Sequence, residues 1–144
     1  MPLAVQFYDV VVSIHVMAVI AAFGGWFAYP LLTPTGDAAA HRGHIRAARF
    51  VVNPAGTIVL AAGIYLATDR HYWSKVWVSV PLVILVVVLG VTGSYFIPRQ
   101  KRLATLAEAG AGPEYAKLAG QVRLVMAVAA LLVLVAVFFM VVKP

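Results

Sequence analysis

The chain contains no cysteine, which excludes disulfides, thiolate metal sites and a cysteine nucleophile. Charge is almost as scarce. Only 11% of the 144 residues are Asp, Glu, Lys or Arg, where a soluble surface carries about 25–35%. The opening Met1-Pro2-Leu3-Ala4 lacks the positive charge of a secretory signal, and no small-residue cleavage site follows it. The first apolar run is therefore expected to be a retained span. Basic residues interleaved with aromatics, as a single-strand-binding surface requires, are also missing, so the net charge of +6 does not point to nucleic acid. What is present is apolar: 63% of the chain, against roughly 45–50% in soluble domains. These absences exclude a soluble enzyme and leave a single-domain polytopic membrane protein.

Four segments reach the roughly 20 apolar residues that cross a bilayer. They run over about 5–32, 50–68, 76–97 and 122–142. The expected fold is all-α, a four-transmembrane-helix bundle. In span 1, Tyr8, Val11, Val12, His15, Val19, Ala22, Trp26 and Tyr29 share one helical stripe, the natural inward face. Gly24-Gly25 beside it permits close approach. Thr33-Pro34-Thr35-Gly36-Asp37 breaks the chain, and 37–49 reads as an interfacial helix with Arg42, Arg46 and Arg49 on one face and His41, Ile45 and Ala48 towards another. Pro54 sits near the start of span 2, and Gly56 and Gly63 mark a close-packing face. Pro81 predicts a kink or a delayed start in span 3, and Pro98 marks the end of the span, with the helix expected to continue into solvent from Arg99 to Ala109. Tyr72, Trp73 and Trp77 read as an interfacial aromatic belt.

Orientation follows from the basic residues. The loops 33–49 and 98–121 and their flanks hold Arg42, Arg46, Arg49, Arg99, Lys101, Arg102, Lys117 and Arg123, against Arg70, Lys75 and Lys143 on the other side. The positive-inside rule places those loops in the cytoplasm and both termini outside. The arginines, with Trp73 and Trp77, are lipid and topology anchors.

His15 is the one histidine deep inside a span. An ionisable group at that depth is costly and needs a partner, a ligand or a polar cavity. Two readings stand side by side: a neutral imidazole bonded across a helix pair, or an axial ligand to haem b. Tyr8, Tyr65 and Lys75 lie at comparable or shallower depth and complete an outward-opening pocket. Asp9 either caps span 1 or pairs with Lys75, and Lys75 is either a snorkelling anchor or a polar contact for a ligand. His41 and His44, three apart, have metal-sharing spacing, although a solvated loop is the commoner reading. Tyr29, Ser94 and Tyr95 are polar groups on the inner side with no evident use.

The run His15, Gly24-Gly25-Trp26, Tyr29-Pro30, followed by Pro54, Trp73 and Lys75, resembles the bacterial haem-associated protoporphyrinogen oxidase and the copper-resistance membrane domain. That resemblance implies the cytoplasmic (inner) membrane of a bacterium as the location, His15 as haem ligand and Lys75 as a basic group beside a porphyrin. The positions of His15, Gly63, Trp73 and Pro98 are similar to those of a bacterial family of predicted integral membrane proteins of unknown function, which implies no chemistry. Three functions follow as expectations. The chain is an accessory or oligomeric membrane module, working as a homo-oligomer or with a partner membrane subunit. Alternatively it is a haem-b or porphyrin-handling protein, or else a small transporter or channel subunit. A path through the bilayer would need polar groups in span 4, which supplies almost none.

Overall fold

A computed structural model describes residues 6–29 and 36–144. They form an all-α four-helix bundle: α1 (Phe7–Ala28), α2 (Ala38–Asp69), α3 (Val76–Glu108) and α4 (Pro113–Val142). Each helix is long and apolar enough to cross a membrane by length and composition. Val5, the Tyr-Pro exit at Pro30 and the break at 33–35 lie outside the described residues.

Local chemistry sets the helix ends. The Gln6 N–H donates to the Asp9 carboxylate at 3.2 Å, so Asp9 caps α1, one of the two roles open to it. The Asp37 carboxylate accepts from the Ala39 N–H at 2.9 Å and starts α2. Between α3 and α4, Gly110, Ala111 and Gly112 all take positive φ (97°, 62° and 103°), a left-handed turn that glycine makes inexpensive. The reversal between α2 and α3 turns on His71 at φ 56°.

Two helices run on beyond their apolar spans. α2 absorbs without a break the interfacial segment 38–47, which was expected as a separate short helix, and α3 passes through Pro98 to Glu108, the continuation expected over 99–109. Both do so through a wide π turn, at Ala48–Val52 and Thr92–Phe96. Each π turn is followed by one residue and then proline: Asn53-Pro54 in one helix, Ile97-Pro98 in the other. In a regular α-helix a proline ring clashes with the carbonyl four residues back and removes one hydrogen bond. Widening the preceding turn relieves that clash, with Asn53 N–H reaching Ala48 O and Ile97 N–H reaching Thr92 O. The prolines therefore shape the helices without ending them. Pro81 is likewise inside α3, which starts at Val76 without delay.

The helices pack as a closed ring, with extensive contact between successive helices and a smaller one between α1 and α4. The predicted stripe of α1 faces its neighbours: every member is buried or half-buried, while Phe7, Met17 and Ile20 stand exposed. Gly56 lets α2 and α3 touch, since a Cβ there would overlap the Leu89 side chain. Large buried side chains (Phe23, Trp26, Phe96, Leu103, Tyr115, Met126) form one continuous core. Smaller residues, Gly63, Ala67 and Ala136, line the bundle near His15. The bundle is therefore filled near His41 and opens near His15.

Candidate functional site

The open end holds a cavity of about 220 Å³ lined by all four helices. Its walls are apolar, among them Val19, Phe23, Leu82, Leu85 and Val133. His15 is the titratable group set deepest along α1. Its Nδ1 lies 3.1 Å from the Val59 carbonyl, which can only accept. In the neutral ring Nδ1 therefore carries the proton, and Nε2 keeps its lone pair. Gly63 borders the ring: a Cβ there would touch His15 Cε1 at 3.4 Å.

The mouth of the cavity is aromatic and cationic. Lys143 Nζ sits 5.0 Å from the Trp77 ring centroid, and the Arg70 guanidinium lies 4.3 Å from that of Tyr8. Tyr72 packs on Trp77 at 4.8 Å, and the Trp73 indole N–H donates to the Thr68 hydroxyl at 3.3 Å. Such cation–π seats hold an ammonium or guanidinium in place without neutralising it.

Of the pocket residues expected from sequence, His15 and Tyr8 line the cavity, joined by Trp73 and Trp77. Tyr65 and Lys75 do not. Tyr65 is exposed and stands edge-on to Phe7 at 5.6 Å; Lys75 is the exposed residue that precedes α3. The lysine that does line the cavity is Lys143, which the sequence reading used only to count charge. The donor chemistry of His15 suits haem iron, because an axial imidazole commonly gives its other N–H to a carbonyl. The space does not. The cavity falls below the ~300–1,000 Å³ that encloses a drug-sized ligand, so a whole macrocycle would have to part the helices.

The closed end contains a second polar constellation, one that sequence reasoning did not assemble. His41 is buried on α2, where a solvated loop was expected. Its Nδ1 is 2.7 Å from Gln100 Oε1 on α3, and its Nε2 is 2.7 Å from the Tyr115 hydroxyl on α4. Gln100 Nε2 donates to the Tyr29 hydroxyl next to the end of α1. Tyr115 in turn accepts the Gly36 N–H at 3.1 Å. The protons can be assigned consistently. His41 Nδ1–H donates to Gln100, Tyr115 O–H donates to His41 Nε2, and each donor meets one acceptor. No buried side-chain nitrogen or oxygen among the described residues lacks a partner.

His44 packs edge-on against Tyr29 at 5.0 Å. It lies outside the apolar stretch of α2, and burial, reinforced by neighbouring His41, lowers its imidazole below the ordinary 6.5. Both nitrogens of His41 are committed, so the His41–His44 pair does not present a metal site. Among the described residues no group of three or more His, Cys, Asp or Glu is placed to hold a metal ion. Gln100 and Tyr115 were missed, although the facing of His41, Ile45 and Ala48 away from the arginines was the available signal. The basic residues nearby are on the surface: Arg42 pairs with Glu108 and Arg102 with Glu114, Arg99 covers Tyr95 at 4.2 Å, and Arg46, Arg49 and Lys101 are exposed.

Compared with protein-family models, with curated proteins and with solved structures, the chain matches none.

Proposed function

We propose that this chain is a multi-pass protein of the bacterial cytoplasmic membrane, with both termini outside, and that it binds a slim, membrane-soluble ligand in the His15 cavity. The single observation that carries this reading is the imidazole itself. His15 lines an apolar cavity with Nδ1 fixed on the Val59 carbonyl and Nε2 left as an acceptor. A polar group is expensive at membrane depth and marks function there. The positive-inside distribution of basic residues supports the orientation and puts the cavity mouth at the outer leaflet. The closed end, tied together by His41, Gln100, Tyr29 and Tyr115, is the rigid scaffold beneath it.

Haem b is the second reading. It is favoured by the protonation pattern of His15 and by the resemblance of span 1 to the porphyrin-handling families, and opposed by the cavity volume. An absorption spectrum of protein expressed with haem precursor, beside His15→Ala, decides between them. A Soret band lost in the variant establishes haem. A flat spectrum from folded protein removes it and leaves the slim ligand. An accessory role with a second copy or a partner subunit draws on Gly24 and Gly25, which face open space on α1. The mass of the detergent-free particle tests that role.

A further inference from the structure

The rim of the cavity says more about the ligand than its walls do. Lys143 is part of the lining, and the lining contains no Asp or Glu. The acids nearest in sequence to the mouth have partners other than Lys143. Asp9 accepts from the Gln6 N–H at the start of α1, and Asp69 pairs with Arg70 at 3.5 Å. Lys143 is held over Trp77, which also lines the cavity. An ammonium seated on an aromatic face keeps its full charge and its N–H donors for an incoming anion. Below that charge the walls are aliphatic as far as His15.

We infer that the cavity takes a single-chain anionic amphiphile, with its carboxylate or phosphate head on Lys143 and its aliphatic chain along the walls towards His15. This inference rests on the ligand-binding reading above and names the chemical class of that ligand. Volume and charge agree on it. A space of about 220 Å³ is too small for a bulky or two-chain molecule but admits one chain whose head stays at the mouth. A neutral lipid-soluble molecule would find no use for the lysine, and a cation would be repelled by it. A free fatty acid and a lysophospholipid share this chemistry, and the outer leaflet is the common source of both.

Tryptophan fluorescence provides the test, because Trp73 and Trp77 line the cavity while Trp26 is buried in the core shared with Phe96. The full chain in phosphatidylcholine nanodiscs is titrated at alkaline pH with three bromine-labelled probes whose chain is short enough for the cavity: decanoic acid, decanol and a lysophosphatidate of the same chain. Saturable quenching by the acid or the phosphate, about tenfold tighter than by the alcohol, is expected from one charge-assisted hydrogen bond. Lys143→Gln is expected to bring the anions down to the level of the alcohol. The tighter of the two anions identifies the source. Equal affinity for acid and alcohol, unchanged by Lys143→Gln, overturns the anionic head while leaving the cavity reading intact. Gly63→Leu and Ala136→Phe fill the cavity at two independent places. Quenching that never saturates, or that survives in both filled variants, overturns the cavity reading and this inference with it.

Discussion

The His41 imidazole and the Gln100 carboxamide, 59 positions apart in the sequence, meet at 2.7 Å in a buried contact between α2 and α3. Through Tyr115 on one side and Tyr29 on the other, this contact reaches all four helices. Dispersion between apolar surfaces is weakly directional, and lipid-facing helices gain little from hydrophobic burial against one another. A chain of matched donors and acceptors fixes rotation and register in a way that leucine and valine do not.

Replacing Gln100 by Leu removes the acceptor of His41 Nδ1–H and the donor to Tyr29 together. The stranded groups are buried, so a loss of about 1–3 kcal/mol in stability is expected. Thermal unfolding in nanodiscs measures it. Gln100→Leu combined with Tyr29→Phe should cost less than the two single changes added, because they share one hydrogen bond. Strict additivity would show that the network is not energetically coupled.

The lowered His44 imidazole gives a pH dependence with a definite sign. The folded protein disfavours the charged ring, while the unfolded chain protonates near the ordinary 6.5. The unfolded state therefore binds more protons across that window. Its contribution is fully present above about pH 6.5 and is lost as pH falls through the lowered folded value. The thermal midpoint of the wild type should fall between neutral and mildly acidic pH, and His44→Gln should flatten the fall. A slope unchanged in the variant would assign the effect to other groups.

Much of the bundle was legible because hydropathy reports segment length directly. The four apolar stretches became four helices, and the α1 stripe through His15 and Trp26 turned inwards as its periodicity required. The prolines were read in part. Pro98 ended the apolar span in an expected helix that continues beyond it, and Pro54 was placed at a helix entrance, whereas a local π turn before each proline lets one unbroken helix pass through. The closed-end network was invisible for a different reason. Gln100 and Tyr115 sit in charged, hydrophilic stretches, and only the antiparallel pairing of two helical extensions buries them beside His41. The cavity lay in between: His15 and Tyr8 carried a signal of depth and type. Lys143 did not: the four-span topology put it on the same side as the start of α1, but nothing local shows that its ammonium lies over Trp77.

Gly56 tests the packing of α2 on α3. A single methyl at this position would overlap Leu89, and overpacking of a close contact costs typically about 1–3 kcal/mol. Gly56→Ala should lower the thermal midpoint, and Leu89→Ala in the same chain should restore part of the loss. Rescue identifies steric overlap as the cause. Equal stability of Gly56→Ala and the wild type would mean that the helices are not this close.

The absence of cysteine makes orientation directly measurable, since any thiol introduced is the only one present. Ser74 precedes α3 in the link from α2, and Ala109 follows α3 in the turn to α4; both are exposed. If the eleven Lys and Arg residues orient the bundle as the positive-inside rule requires, the two positions lie on opposite faces of the membrane. A membrane-impermeant maleimide should label Ser74→Cys in intact cells stripped of their outer membrane. Ala109→Cys should react only after the inner membrane is opened. The reverse pattern would invert the topology and put the cavity mouth in the cytoplasm, where an outer-leaflet amphiphile does not reach it. Labelling of both positions in intact cells would remove the membrane-spanning arrangement altogether. The orientation of the cavity, and with it the compartment from which a ligand comes, depends on this one pair of reactions.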